Sequence, residues 1–419
     1  MFEIFTVILM LTALASYVNY TRLKLHPAIG IMIVSLVVGV GMTLLASLGM
    51  ASMQHIMHAV DRIDFGSLVM RCLLGIILFS GAMQVDIREL LDVKWLVLSL
   101  AVGSVLISAA VIGGLLWLVL NATGIGLNFA YCLLFGALIS PTDAVAVLAI
   151  VRRVGAPREM AALITGESLF NDGAGVVLFL AILQIISGAA LTPLQIAGLF
   201  LFEALGGIAL GYLIARLGLR MMKNVNDFKL HALMTLAMAA GVFSLANALH
   251  MSGVIAAVTA GMTVGAARKR LPEKSFENVA VFWEIVDDML NAVLFALLGL
   301  EVLLIDRTVH LEWGHFAAAA AAAIPVVLAA RLVSIALPVQ IARLRRRIPR
   351  YAVRVLTWGS LRGGLPVAMA VALPYATAAE SNARDLIMVM TYAVVAFSLI
   401  VQGLTLEKLI SRSLAANDA

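Results

Sequence analysis

The sequence is poor in charged residues, in aromatic residues and in cysteine. Only 13% of its 419 residues are charged and 63% are hydrophobic, which excludes soluble globular and disordered proteins, because both need more polar surface. The two cysteines, Cys72 and Cys132, lie in apolar stretches, and we interpret them as small core residues rather than a disulfide framework. No basic leader with a cleavage motif precedes the first apolar stretch, so we expect that stretch to be a helix of the mature protein.

Long apolar runs make up most of the chain. Each is about 20 residues long, the length that crosses a bilayer as an α-helix, whereas barrel strands would be roughly half as long. We therefore predict an all-α polytopic membrane protein, a single membrane domain over residues 1–419 with about thirteen transmembrane helices. The predicted spans are roughly 2–20, 27–49, 66–85, 94–120, 127–151, 159–187, 194–221, 230–249, 252–267, 280–304, 314–342, 352–374 and 385–406.

Arginine and lysine cluster in the loops that follow odd-numbered spans, as in residues 343–350, and are sparse in the other loops. By the positive-inside rule, the odd loops and the C-terminus are cytoplasmic and the N-terminus is outside. The net charge of +5 is thus explained by membrane topology, and we expect lipid contacts and no nucleic-acid partner.

Two spans contain helix-breaking sequences at matching positions. An odd number of spans fits two inverted-topology repeats of six, joined by a bridging helix at 194–221. Span five contains Ser140-Pro-Thr-Asp143, and span twelve, seven places on, contains Ser360 to Pro366 with paired glycines. Such breaks are tolerated inside a membrane where the freed backbone lines a cavity or binds something, so we predict crossed broken helices. Ordinary kinks are the alternative interpretation.

A polar cluster interrupts the apolar span six. Ser168, Asn171 and Asp172 share one helical face by their spacing, and Glu167 lies on the neighbouring stripe with Asn171. Ionisable groups at bilayer depth are energetically unfavourable and by default mark a function. The alternative is that these residues only hold neighbouring helices together through polar contacts, although such a structural role rarely needs two acids.

The first break adds oxygen donors to this cluster. Free carbonyls, the Thr142 hydroxyl and the Asp143 carboxylate would join Asp172, and if the helix restarts after the break, Asp143 lies in its first turn. Oxygen donors suit a hard cation, and a proton competes for the same carboxylates, which predicts cation–proton exchange. No cofactor is required.

Buried arginines and further acids need separate interpretations. Arg331 and Arg362 lie within spans; Glu167 is a natural partner for one of them, and Arg362 could instead bond unwound backbone in span twelve. In span ten, we interpret Glu284 and Asp287, which lie nearer the cytoplasmic end, as solvated helix-end residues, with an entry funnel as the alternative.

Three motifs resemble those of a known family: Ser140-Pro-Thr-Asp143 followed by Ala-Val-Ala-Val-Leu, then Gly166-Glu-Ser-Leu-Phe-Asn-Asp172, and Gly359-Ser-Leu-Arg-Gly-Gly364. The sequence resembles the monovalent cation:proton antiporters that include bacterial NhaP and the animal sodium/proton exchangers, across all predicted spans. The resemblance implies a secondary transporter, not an enzyme, in the bacterial inner membrane. It also implies a homodimer with elevator-type alternating access that exchanges Na⁺, Li⁺ or K⁺ for H⁺.

The resemblance also implies residue roles. It assigns the ion site to two acids and three supporting ligands: Asp172 and Asp143, with Thr142, Ser168 and Asn171. It assigns structural roles to four further residues: the ion pair Glu167–Arg331 and, at the breaks, Arg362 and Pro141. The Asn-Asp pair of span six is the pattern of the electroneutral branch, which implies one-for-one exchange. The ion-binding core bundle would comprise about 94–187 and 314–406, and the dimerisation scaffold about 2–85 and 230–304.

One departure and three alternatives stay open. Some members carry an acid in span three, where this chain reads Phe79-Ser80-Gly81. A K⁺-preferring exchanger is the nearest alternative, because Na⁺ and K⁺ share ligand chemistry. Two alternatives are more remote. One is an intramembrane aspartyl protease that uses Asp143 and Asp172 as an acid pair, and the other is a non-transporting sensor.

Overall fold

The structure is a computed structural model of the chain. It describes residues 2–25, 27–48, 73–85, 94–143, 147–148, 150–151, 158–188, 193–223, 225, 227–267, 273–308, 313–344, 349, 351–373 and 378–418. Within these ranges every regular element is a helix, and the only extended pairing is one isolated bridge. The predicted all-α class is therefore confirmed for the described residues.

The first half of the chain contributes seven helices to the described residues. They are α1 (Phe2–Val18), α2 (Pro27–Ser47), α3 (Leu74–Met83), α4 (Lys94–Leu98 and Ser104–Ala122, joined by a π-helical turn at Ser99–Gly103), α5 (Phe129–Ile139), α6 (Arg158–Ile186) and α7 (Pro193–Met222). The side chain of Asn128 begins α5 by accepting a hydrogen bond from the backbone of Ala130 at 3.0 Å, as expected for an N-cap.

The second half contributes seven more. They are α8 (Phe228–Ala248), α9 (Gly253–Ala266), α10 (Glu273–Thr308), α11 (Trp313–Arg343), α12 (Ala352–Trp358), α13 (Gly364–Val371) and α14 (Ala378–Phe397 and Gly403–Asp418, joined by a π-helical turn at Ser398–Gln402). Asp227 and Ser252 cap the starts of α8 and α9 through their side-chain oxygens.

Each predicted span contains at least one helix. In the described part of the chain, six helices are long and apolar enough to cross a membrane, namely α4, α6, α7, α8, α11 and α14, and shorter apolar helices lie within α2, α3, α5 and α9. These helices identify a membrane protein. The count of thirteen crossings and the inverted repeats stay predictions.

The helices pack in two groups. The first group consists of α4–α6 with α11–α14, and the second group of α1–α3 with α7–α10. Glycines allow close approach within each group: a Cβ at Gly136 of α5 would lie 2.6 Å from the Ala109 carbonyl oxygen of α4. The two groups meet where α6 contacts α3 and α9, where α10 contacts α13 and α14, and where α2 contacts α14.

Two interrupted helices cross inside the first group. α5 ends at Ile139, and the chain continues without regular structure to Asp143, while residues 359–363 separate α12 from α13. The backbone N–H of Asp143 donates to the carbonyl oxygen of Leu361 at 2.7 Å, forming an antiparallel bridge. Asp143 thereby joins the two breaks. Its place in the first turn of a restarted helix stays a prediction, because residues 144–146 lie outside the described ranges.

Candidate functional site

The side chain of Asn171 on α6 braces the first break. Its Oδ1 accepts a hydrogen bond from the Thr142 backbone N–H at 3.3 Å, and its Nδ2 donates to Thr142 Oγ1 at 2.7 Å and to Glu167 Oε1 at 3.1 Å. Asn171 is fully buried, so these bonds replace the water that its amide would otherwise bind. Asn171 thereby orients Thr142.

Ser168 fixes the same segment one turn earlier on α6. Its hydroxyl donates to the carbonyl oxygen of Thr142, so α6 holds both the amide and the carbonyl of that residue. Ser168, Asn171 and Asp172 were predicted to share one helical face. This explains how more than one side chain of α6 can contact the first break. A glycine makes this approach possible: a Cβ at Gly175 would lie 2.5 Å from Cγ of Pro141.

A buried ion pair joins α6 to α11. Arg331 Nη2 donates to Glu167 Oε1 at 2.6 Å, and the two side chains are 2% and 4% exposed. The remaining guanidinium nitrogens are also held: Nε donates to Ser360 Oγ in the second break, and Nη1 donates to Ser104 Oγ at 3.5 Å. In the structure, the partner of Glu167 is therefore Arg331. This ion pair connects α6, α11 and the second break.

Arg362 of the second break binds the backbone of the first. Its Nη1 donates to the carbonyl oxygens of Ser140 at 2.5 Å and Pro141 at 2.9 Å, while its own backbone N–H donates to Ser398 Oγ at 3.0 Å. The alternative that Arg362 bonds unwound backbone in span twelve is wrong, since both carbonyls belong to span five. The free carbonyl oxygens at the end of α5 therefore accept hydrogen bonds from the guanidinium of Arg362, which lies in the other half of the chain.

The two acids of the candidate site are more accessible than their neighbours. Asp172 and Asp143 are partly exposed, whereas Thr142, Ser168 and Asn171 are buried. Asp172 directly follows Asn171, which bonds Thr142, and Asp143 directly follows Thr142, so both acids flank the braced segment. Two carboxylates that face the accessible side of a braced break can bind a proton or a hard cation between them.

A glycine leaves room for the Asp143 carboxylate. A Cβ at Gly363 would lie 3.0 Å from Asp143 Cβ and 3.1 Å from its Oδ2, which is tighter than ordinary contact. The paired glycines of span twelve therefore open the backbone where the two breaks cross. Elsewhere in the described ranges, no group of three His, Cys, Asp or Glu side chains is placed to hold a metal ion.

The roles of three serines of the site escaped the sequence analysis. Ser104 and Ser360 hold the guanidinium of Arg331, and Ser398 holds the backbone of Arg362. Ser360 belongs to a motif that the sequence analysis identified, but its role did not follow from it. Ser104 and Ser398 carry no signal, because a lone serine in an apolar helix commonly bonds a carbonyl of its own helix. In contrast, Asp287 was expected at a solvated helix end, and that expectation is wrong because its side chain is buried.

Comparison with known proteins supports one family over nearly the whole chain. Residues 7–412 match the family model described as sodium/hydrogen exchanger, transmembrane. The Na⁺/H⁺ antiporter NhaP of Pseudomonas aeruginosa is 40% identical over 420 residues, which cover 98% of this chain and 97% of that protein. The Na⁺/H⁺ antiporter NhaH of Halobacillus dabanensis is 32% identical over 98% of each chain.

A solved structure shares the fold. The sodium proton antiporter MjNhaP1 from Methanocaldococcus jannaschii, solved at pH 8, superposes with a TM-score of 0.73 over 98% of this chain and 96% of that chain, at 19% identity. Because sequence, fold and the motifs at the crossing agree, the chain belongs to the sodium/hydrogen exchanger family of secondary transporters and is not an enzyme.

Proposed function

We propose that the protein exchanges Na⁺ or Li⁺ for protons, one for one, with both ions competing for Asp172 and Asp143. The observation that carries this proposal is the pair of partly exposed carboxylates at the crossing of two interrupted helices. The names of its relatives, Na⁺/H⁺ antiporters, support the choice of ions.

The cation is held by oxygen atoms from both α6 and the first break. Asp172 and Asp143 supply the negative charge, and the hydroxyl oxygens of Thr142 and Ser168 supply neutral ligands, with Asn171 bracing Thr142. Glu167 is already neutralised by Arg331, so it takes no part in the exchange. A single cation displaces a single proton in this scheme, which makes the exchange electroneutral.

Alternating access arises when the first group of helices moves against the second. The first group contains both breaks and the buried pair Glu167–Arg331, so it can move as a unit with the ion. The second group is the scaffold, and we assign the homodimer contact to it. Such an elevator-type motion exposes one ion site to each side of the membrane in turn.

The protein resides in the bacterial inner membrane, with the N-terminus outside and the C-terminus in the cytoplasm. The arginine- and lysine-rich loops after odd-numbered spans support this orientation. A K⁺-preferring exchanger is the second candidate, and it differs only in the size of the cation that the same oxygens fit.

Proton release from proteoliposomes tests the proposal. Purified protein is reconstituted with a pH-sensitive dye, the membrane potential is clamped, and Na⁺, Li⁺, K⁺ or choline is added. We expect Na⁺ and Li⁺ to release protons, choline to release none, and Asp172→Asn to abolish the response while Asp288→Asn, an exposed acid on α10, retains it. Normal exchange by Asp172→Asn would refute the assignment, and a larger response to K⁺ than to Na⁺ would favour the second candidate.

A further inference from the structure

The second break separates a backbone donor from the acceptor that it would have in a continuous helix. In an unbroken α-helix, the N–H of Arg362 would donate to the carbonyl oxygen of Trp358, four residues earlier. Here α12 ends at Trp358 and α13 begins at Gly364, so the helical pattern that would join the two groups is interrupted. A buried backbone group without a partner is unfavourable, and each of the two therefore needs a partner from elsewhere in the chain.

Two side chains of α14 supply these partners. Ser398 Oγ accepts a hydrogen bond from the Arg362 backbone N–H at 3.0 Å, and Gln402 Nε2 donates to the Trp358 carbonyl oxygen at 3.1 Å. Both side chains are buried, with 1% of Ser398 and 3% of Gln402 exposed. Together they take the place of the helical hydrogen bond that would otherwise join Trp358 to Arg362.

The two side chains stand at the ends of an unusual turn. Helix α14 is α-helical up to Phe397 and again from Gly403, and the π-helical turn between these segments begins at Ser398 and ends at Gln402. Turns of this kind are rare in helices and often occur at functional sites. Gly403 also packs against α2 of the second group, since an added Cβ would lie 2.7 Å from Ile29 Cδ1. The turn therefore lies between the second break and the second group of helices.

The backbone that α14 holds carries the guanidinium that binds the first break. Arg362 donates through its side chain to the carbonyl oxygens of Ser140 and Pro141, while its own N–H is bonded to Ser398. Thr142 directly follows these carbonyls and belongs to the candidate cation site. A shift of the Arg362 backbone would therefore displace the site, although α14 supplies no ligand to it.

The first break is held in the same manner by α6. Asn171 accepts a hydrogen bond from the Thr142 backbone N–H at 3.3 Å, and Ser168 donates to the Thr142 carbonyl oxygen. Helices α6 and α14 contain spans six and thirteen, which are the last spans of the two predicted repeats. Each repeat would thus end in a helix whose polar side chains replace backbone hydrogen bonds at a break.

We propose that Ser398 and Gln402 are positioning residues for cation exchange. They keep the second break from closing into a continuous helix, and they act through Arg362 rather than as ligands. When both side chains are removed, the Trp358 carbonyl oxygen and the Arg362 N–H can bond each other, which withdraws the guanidinium from the first break. This inference rests on the proposed exchange of a cation for a proton at that break.

Variants that remove one bond at a time test the proposal in the proteoliposome assay. Ser398→Ala and Gln402→Met are each expected to raise the KM for Na⁺ about tenfold and to change kcat less than about threefold, because the acids remain while the backbone beside them shifts. Ser398→Thr retains the hydroxyl and should keep the KM within about threefold of the unaltered protein. The control is Thr405→Val: Thr405 accepts from the Trp358 indole N–H at 2.9 Å, so it links the same two helices without touching the backbone of the break, and its loss should leave exchange unaltered.

The double variant distinguishes positioning from general support of the fold. Because the two freed backbone groups can bond each other, Ser398→Ala with Gln402→Met should lower the melting temperature by less than the sum of the single variants. Its KM should nevertheless rise at least as far as that of the more impaired single variant. An unaltered KM in both single variants, or additive losses of melting temperature that the KM merely follows, overturns the inference. Either result would leave the loss of exchange in Asp172→Asn intact, whereas exchange by Asp172→Asn would overturn the proposed function itself.

Discussion

Glu167 and Arg331 are two charged side chains that are almost completely buried. Desolvation of two ions is unfavourable, and their mutual attraction compensates only while both are present. The pair therefore contributes chiefly by fixing where α6 and α11 meet. Because Ser360 and Ser104 also bind Arg331, loss of the acid would leave a guanidinium with hydroxyl partners alone.

We predict that Glu167→Gln lowers the free energy of unfolding by about 3–5 kcal/mol, since it leaves the Arg331 charge buried and unpaired. Thermal unfolding of the detergent-purified variant measures the effect. The control is Glu277→Gln, an exposed acid near the start of α10, which should melt as the unaltered protein does. The double variant Glu167→Gln with Arg331→Met should regain much of the loss; a double variant less stable than the single would contradict the argument.

Competition between proton and cation predicts the pH dependence. A proton on Asp172 or Asp143 blocks the cation, so the KM for Na⁺ should rise as the pH falls from about 8 to about 6, by up to about tenfold per pH unit. The kcat at saturating Na⁺ should change less over the upper part of this range. Initial rates of dye response over a grid of Na⁺ concentration and pH measure both constants. A KM that does not change with pH would rule out shared carboxylates.

The two interrupted helices show what the sequence can and cannot predict. Proline and paired glycines revealed both breaks, because these residues act locally on the backbone. The bridge from Asp143 to Leu361 could not be predicted from the sequence, because backbone N–H and carbonyl groups are common to nearly all residues. For the same reason the sequence did not indicate that Arg362 bonds the carbonyl oxygens of Ser140 and Pro141 in the first break.

The spacing of side chains on α6 was the most informative local pattern. It placed Ser168, Asn171 and Asp172 together, and these residues do meet the first break. It could not separate the bracing role of Asn171 from direct ion binding, because that depends on the position of Thr142 in space. The burial of Asp287 likewise depends on the helices that pack around α10, which lie far from it in sequence.

Gly363→Ala is predicted to displace the Asp143 carboxylate. The added methyl would lie 3.0 Å from Asp143 Cβ, and a shift of a few tenths of an ångström should lower kcat/KM for Na⁺ by about tenfold. Gly114→Ala on α4 is the control, because nothing lies within 4 Å of its added Cβ. Unaltered transport by Gly363→Ala would contradict this prediction, because it would show that the backbone at the crossing accommodates the methyl group without displacing the Asp143 carboxylate.

The division of the helices into two groups gives the elevator mechanism a direct test. Gly403 of α14 faces Ile29 of α2, one from each group, and a Cβ at Gly403 would lie 2.7 Å from Ile29 Cδ1. We predict that a disulfide between Gly403→Cys and Ile29→Cys, with Cys72 and Cys132 replaced by alanine, arrests exchange, and that reduction restores it. The readout is sodium-driven proton release before and after a reductant.

A pair within the second group serves as the matched control. Gly206 of α7 faces Met251 in the turn between α8 and α9, and the Met251 Cγ would lie 2.8 Å from an added Cβ, so a disulfide between cysteines at these two positions is expected. Because both positions belong to the second group, exchange should continue. Full activity of the oxidised Gly403–Ile29 pair would contradict movement of one group against the other.

The separation of Glu167 and Arg331 along the chain has a consequence for biosynthesis. The two residues are 164 positions apart, so at about 5–20 residues per second the ribosome adds Arg331 roughly 10–30 s after Glu167. During that interval the newly inserted α6 holds a carboxyl group in lipid before its permanent counter-ion has been made. A proton, a water-filled groove of the insertion machinery or a membrane chaperone has to shield it until α11 arrives.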